Sequence, residues 1–253
     1  MFIAKTEKIR KLAGERDAIV KNLELLFENN VGIYIDYANV RPWSTKLGWN
    51  IELKRLKQFL DSFENIKFVK VYNGTLKEDE KSEELQKLMK KIFKDGFKTK
   101  PVKIMKRSID YSSIKSTATD LLDGFIRRCL LRKYDIETIE YLNEKFREMN
   151  QKGIYYISDL KCNFDVEIGR DMLLDYEKNT IDTYVLWSGD SDFYDPIAQL
   201  LNNNKKVILF ATTKRVASEL DSLQKDGLII FDIKKIKEFI CWNQQILKAK
   251  RTP

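Results

Sequence analysis

The chain predicts an α/β protein of three layers. Helices cover both faces of a mostly parallel central sheet, with an N-terminal helix and a helical insertion added. Three observations carry that reading. The apolar runs VGIYI (31–35), YVLW (184–187) and VILF (207–210) are nearly continuous, as strands buried on both faces require. Segments of helical periodicity separate them, and strands joined through helices pair in parallel. At 253 residues, 43% apolar and 33% charged, the chain can bury a sizeable core beneath a charged surface.

Residues 5–29 place Ile9, Leu12, Ile19, Leu23 and Leu26 on helical spacings and make an N-terminal extension over 1–30. The strand Val31 to Ile35 ends at Asp36, and a helix over about 51–62 leads to the strand IKFVKVYNG, ended by Asn73-Gly74. Residues 78–95 read as a charge-laced amphipathic helix and PVKIM (101–105) as a short strand, closing a first half over 31–107. Residues 108–150 break the rhythm. They hold two helical patterns, about 115–133 and 135–149, the second carrying Ile136, Ile139, Leu142, Phe146 and Met149. With no strand between them, they predict a helical insertion offering a lid, a partner surface or a dimerisation arm. The second half, 151–253, alternates again: helix 164–177, strand IDTYVLW, helix 193–203, strand KVILFA, helix 215–224, strand GLIIF and a final helix 233–249.

Histidine is absent, which excludes Ser–His and Cys–His nucleophile systems and His-ligated zinc or haem. Chemistry must come from carboxylates, lysines, hydroxyls or a metal held by oxygen. Cys129, Cys162 and Cys241 form no CxxC pair, the N-terminus MFIAKTEKIRK lacks a signal-peptide core, and no apolar run approaches bilayer length. A reduced, cytoplasmic setting is expected. The net charge is +8, and Lys87 to Arg107 alone carries nine Lys/Arg against the single acid Asp95. That stretch reads either as a surface tracking phosphates or as an ordinary solvated helix, with Phe93 and Phe97 assigned to the core.

The segment VLWSGDSDFYDP (185–196) brings Asp190 and Asp192 to the end of a buried strand. Sites in parallel α/β sheets form beyond the C-terminal strand ends. If the strand ending at Asp36 neighbours this one, three acids converge, and Asp165 at a helix start adds a fourth. Four carboxylates in one pocket cannot all stay ionised without a counter-charge, and a hard cation such as Mg²⁺ or Mn²⁺ supplies it. Ordinary roles exist as well. Asp192 suits a helix N-cap with Asp195 behind it, and Asp165 suits the positive end of a helix. The conjunction of four acids argues for a site.

YIDYAN (34–39), DVEIGRDML (165–173) and LWSGDSDFYDPIAQLL (186–201), in that order, resemble the NYN domain, the LabA-like branch of the PIN-type nucleases. The family pattern of Asp-x-x-Asn after the first strand is met by Asp36 and Asn39. Its helix-opening Asp is met by Asp165, its second Asp by Asp171, and its Ser-Gly-Asp-Ser-Asp-Phe by Ser188 to Phe193 without mismatch. Ser218, near Leu220, resembles its later Ser-x-x-Leu helix. Lys161 sits four residues before Asp165 rather than three, and Cys-Asn-Phe stands where the pattern has Gly-Val. The resemblance implies a metal-dependent nuclease acting on RNA with Mg²⁺ or Mn²⁺ held by Asp36, Asp165, Asp190 and Asp192. It also implies that Asn39 orients a water or phosphate, and that Ser188 and the helix from Phe193 donate to phosphate. Thr212, Thr213, Lys214 and Arg215, after VILFA, lie at the same predicted edge, as a holder of the substrate backbone or as an ordinary polar loop.

Two other enzyme classes lose on motif. A haloacid-dehalogenase-like phosphatase needs Asp-x-Asp, where this chain reads Asp36-Tyr37-Ala38-Asn39. A dinucleotide-binding oxidoreductase needs Gly-x-Gly-x-x-Gly after a strand, and none follows. A nucleic-acid-binding module that keeps the fold without turnover stays open.

Overall fold

The computed structural model describes residues 1–115, 135–212 and 216–242. They divide into two compact units, residues 1–101 with 162–253, and residues 102–161.

In the first unit, β1 (Val31–Asp36), β2 (Ile66–Thr75), β3 (Phe97–Pro101), β6 (Thr183–Trp187), β7 (Lys206–Ala211) and β8 (Ile229–Asp232) form one sheet in the order β3-β2-β1-β6-β7-β8. Every pairing is parallel. The order reverses between β1 and β6, which lie side by side with Ile35 opposite Trp187. Their C-terminal ends therefore flank the crevice where parallel α/β sheets place their sites.

Strand alternation sorts the side chains into two faces. Ile33, Ile35, Val185, Trp187, Ile208 and Phe210 point one way, where Phe27 stacks on Phe210 at 5.9 Å and meets Phe63 edge-on at 5.0 Å. The helix Asp17–Leu26 delivers Phe27, and its Val20 and Leu23 are buried with it. Tyr34, Lys70, Tyr72, Tyr184 and Leu186 point to the other face, toward the helix Asp165–Glu177. Gly96 allows β3 to join the edge, because a Cβ there would sit 2.2 Å from the Val69 carbonyl oxygen.

The sequence reading needs correction in several elements. The expected helix over 5–29 is two helices, Glu7–Glu15 and Asp17–Leu26, broken at Arg16. β2 continues through Asn73-Gly74 to Thr75, because β3 supplies backbone partners at Thr99 and Lys100. The strand expected over 101–105 is really two strands, β3 and β4 (Lys103–Ser108). β4 pairs antiparallel with β5 (Tyr156–Lys161), a strand the sequence reading missed. With the helix Ile136–Gln151, this hairpin builds the second unit around Ile109, Tyr111, Ile139 and Phe146. The helical pattern expected over 115–133 lies outside the described residues. Among the described residues the helix expected over 233–249 is a turn Ile233–Ile236 and a helix Lys237–Ile240, after which Cys241 becomes extended and pairs with Ile51; residues 243–249 lie outside the described residues. Arg55, buried in the same place, donates to the Phe239 and Glu238 carbonyls and so satisfies the helix end.

Candidate metal centre

The loop after β6 is built around its acids. Asp190 caps the turn Ser191–Phe193, accepting from the Asp192 N–H at 3.3 Å, and its own N–H meets the Ser188 hydroxyl at 3.4 Å. Ala217 donates its N–H to the Gly189 carbonyl at 3.1 Å, so the segment after β7 braces the loop. The capping role foreseen for Asp192 thus falls to Asp190, and the helix Tyr194–Asn202 begins without a side-chain cap. Asp192 is left exposed, with no structural hydrogen bond for its carboxylate to make at a cap.

Asp165 opens the helix Asp165–Glu177, where the positive end of the helix favours its charge. Two acids further along that helix fix its seating. Tyr72 donates to Asp171 at 2.8 Å, while Tyr34 and Lys70 reach Asp175 at 2.7 and 2.6 Å. Lys100 holds the loop before it, bonding the Asn163 carbonyl and Glu167 and lying 4.6 Å above the Phe164 ring. Sequence reading had Lys100 only as one charge of a basic stretch; its proximity to Asn163 is a product of β3 joining the sheet edge.

Carboxylate oxygens of Asp165, Asp190 and Asp192 come within 4.8 Å of one another. Asp36 lies outside that trio, at the end of β1 and only 5% exposed. It accepts from the Asn39 N–H at 3.2 Å and from the Ser188 hydroxyl at 3.5 Å. Burial pushes Asp36 up to about 6, with the charges of Asp165 and Asp190 adding to it and the Asn39 and Ser188 hydrogen bonds opposing. Burial likewise pushes Asp165 up to about 6, with Asp190 and Asp192 adding to it against a hydrogen bond from Asn163. Asp36 and Asp165 thus each sense acids of the neighbouring loop, as their placement at the switch point predicts.

Their chemistry fits a hard divalent cation. The donors are carboxylate oxygens, and among the described residues no Lys or Arg forms an ion pair with Asp165, Asp190 or Asp192. The remaining expected residues divide. Asn39 is half-buried and acts here through its backbone N–H. Ser188 is fully buried, so the hydroxyl expected to meet a phosphate instead positions Asp36 and Asp190. Thr212 is buried at the end of β7, and Thr213, Lys214 and Arg215 lie outside the described residues. Asp171 is taken by Tyr72 and Arg170 and stands apart from the trio. Lys161 is exposed at the end of β5, in the other unit. Phe93 is buried and Phe97 packs on the core, so neither offers a stacking ring.

A parallel sheet with aspartates gathered at its switch point is the arrangement of a PIN-like nuclease domain. The family model for the NYN domain matches residues 30–230, and the chain belongs to that PIN-like nuclease family. No curated protein matches the chain. Among solved structures, a crystal structure of a protein of unknown function from Vibrio parahaemolyticus RIMD 2210633 is similar at 15% identity and TM-score 0.48. That likeness covers 84% of this chain and 96% of the other.

Proposed function

We propose that the protein is a divalent-metal-dependent nuclease that hydrolyses phosphodiester bonds in RNA, or in single-stranded nucleic acid generally. The supporting observation is the convergence of Asp165, Asp190 and Asp192 within 4.8 Å, beside Asp36, with no pairing cation among the described residues. These four acids are assigned to hold Mg²⁺ or Mn²⁺. The chemistry such an ion supplies is neutralisation of phosphate charge and acidification of the attacking water.

The chain's own residues set the stage for it. Ser188 and the Asn39 N–H fix the Asp36 carboxylate, and the cap at Ser191–Phe193 fixes Asp190. Asn39, Thr212, Lys214 and Arg215 are assigned to the substrate backbone, with Ser188 in a supporting role behind the acids. Lys87, Lys90, Lys91, Lys94 and Lys98 are exposed and favour a polyanionic partner. The scattered cysteines, of which Cys162 and Cys241 are unpaired, suit a cytoplasmic setting. Among the described residues no helix is long and apolar enough to cross a membrane. The insertion is assigned to a protein partner or second copy, since the adjoining hairpin exposes Ile104, Tyr156 and Leu160 on one face.

The test is cleavage of end-labelled single-stranded RNA and matched DNA by wild type and Asp36→Asn/Asp190→Asn, with Mn²⁺, Mg²⁺ or EDTA. Cutting that needs the ion and disappears in the variant supports the reading. Binding without cutting under every ion would replace it with a binding module of the same fold.

A further inference from the structure

The chain directly following β1 forms the wall of a cavity of about 440 Å³. Tyr37, directly after Asp36, and Ile51 and Leu85 give it apolar lining, while Arg41 and Lys81 bring positive charge. Its rim carries Trp242, which is 47% exposed. The other tryptophans, Trp43, Trp49 and Trp187, are all buried.

An exposed indole is costly in apolar area left in water, and this one is held in place by backbone bonds. The Trp242 N–H donates to the Asn50 carbonyl at 3.1 Å, Cys241 pairs with Ile51, and the Glu52 N–H reaches the Ile240 carbonyl at 2.8 Å. Arg55 seals the helix end just before it. The ring is therefore presented on a braced segment rather than at the end of a long free side chain. Among the described residues Arg41 and Lys81 form no ion pair, so the cavity joins a flat aromatic face to two uncompensated cations.

That combination matches one ligand class. A nucleobase stacks on an indole whatever its identity, and the linked phosphate takes the cations. An acidic peptide would use the cations and leave the ring idle. The cavity volume lies within the usual range for small-ligand sites.

We propose that this cavity, whose lining begins at the residue after Asp36, is a nucleotide subsite in which Trp242 stacks a base of single-stranded RNA and Arg41 and Lys81 hold the adjoining phosphate. The ligand's identity rests on the nuclease reading above. The subsite sets how the strand is anchored, a property the acids alone do not supply.

The test measures binding without turnover. Fluorescein-labelled short single-stranded RNA is titrated with the full chain in EDTA, and anisotropy reports the affinity. Loss of one stacked base in Trp242→Ala should weaken binding roughly tenfold, with Trp242→Phe restoring most of it. Arg41→Gln and Lys81→Gln should each flatten the slope of log affinity against log salt by about 0.7, one phosphate contact apiece. Circular dichroism and thermal melting check that each variant folds. Trp242→Ala binding as wild type does, or an unchanged salt slope in both charge variants, would overturn the subsite. A free mononucleotide displacing the RNA at equal concentration would overturn the strand reading, because the source would then be a small molecule. Failure of the two readings separates cleanly. Trp242-dependent binding without metal-dependent cutting keeps the subsite and removes the nuclease. Cutting that Trp242→Ala leaves at wild-type kcat and KM removes the subsite and keeps the nuclease.

Discussion

The helix Asp165–Glu177 carries acids of two fates. Asp171 and Asp175, one turn apart, are each matched by groups from the sheet: the Tyr72 hydroxyl for the first, Lys70 and the Tyr34 hydroxyl for the second. Asp165, at the first position of the same helix, faces Asp190 and Asp192 and receives no cation from the chain among the described residues. The fold had the means to compensate buried carboxylates and used it in the lower part of the helix. Leaving the upper acids uncompensated costs stability through repulsion and desolvation, visible in the upward displacement of Asp36 and Asp165 to about 6. The difference separates acids that fasten the helix from acids to which the described residues bring no cation.

The comparison breaks most sharply through the upper acids. Asp190→Asn should reduce cleavage of labelled RNA by more than the roughly 10- to 100-fold that losing an outer-shell partner of a metal site costs. Its melting temperature in EDTA should stay level or rise. Retained activity would show that the trio is not the working centre.

The lower acids predict the reverse. Lys70→Met leaves Asp175 buried with the Tyr34 hydroxyl and a longer 3.8 Å pair to the exposed Lys178, and breaking the largely buried pair should cost about 3 kcal/mol. At 2–4 °C per kcal/mol for a chain of this size, the melting temperature should fall by roughly 6–12 °C. Turnover per folded molecule at low temperature should hold. Melting curves and activity on the same sample would separate the two.

Divalent ions sharpen the contrast. A ligand bound to the folded state alone at a hundred times its Kd adds about 2.7 kcal/mol, so Mn²⁺ should raise the wild-type melting temperature by several degrees. The same ion should leave Asp36→Asn/Asp190→Asn unmoved. A shift of equal size in the variant would place the ion elsewhere.

The pH dependence follows from the two raised carboxyls. Folding moves Asp36 and Asp165 from 3.8 to about 6, so folding favours their protonated forms. Their contribution to stability is full below about pH 4 and is lost as pH rises through about 6. In EDTA, wild type should lose melting temperature relative to Asp36→Asn across that window, and Mn²⁺ should narrow the gap. A difference flat from pH 4 to 7 would return Asp36 to an ordinary value. The smallest effect belongs to Tyr72→Phe, which removes one hydrogen bond to Asp171 and should cost about 1 kcal/mol in denaturant unfolding.

Much of this was legible from the residues. The all-apolar runs of β1, β6 and β7 announced a parallel sheet buried on both faces, because only such strands lack a polar side. Asp36, Asp165, Asp190 and Asp192 were legible only as a conjunction, since Asp165 and Asp192 each suit an ordinary role at a helix start. Less was legible where partners come from far along the chain. The hairpin of β4 and β5 joins segments about 50 residues apart, and neither shows a clean alternation of its own. The end of the helix Lys237–Ile240 at Cys241 depends on Arg55 and Ile51, which nothing near Cys241 in sequence reveals.

The sequence by itself determined the fold class, the sheet's two halves and the identity of the acids, because burial pattern and local propensity act over a few residues at a time. Only the tertiary structure decided that β1 and β6 are neighbours, that Ser188 is buried against Asp36, and that Asp171 pairs with Tyr72. It alone also placed Trp242 beside Arg41 and Lys81. Those outcomes rest on strand order and side-chain direction, which emerge when distant segments compete for the same buried face.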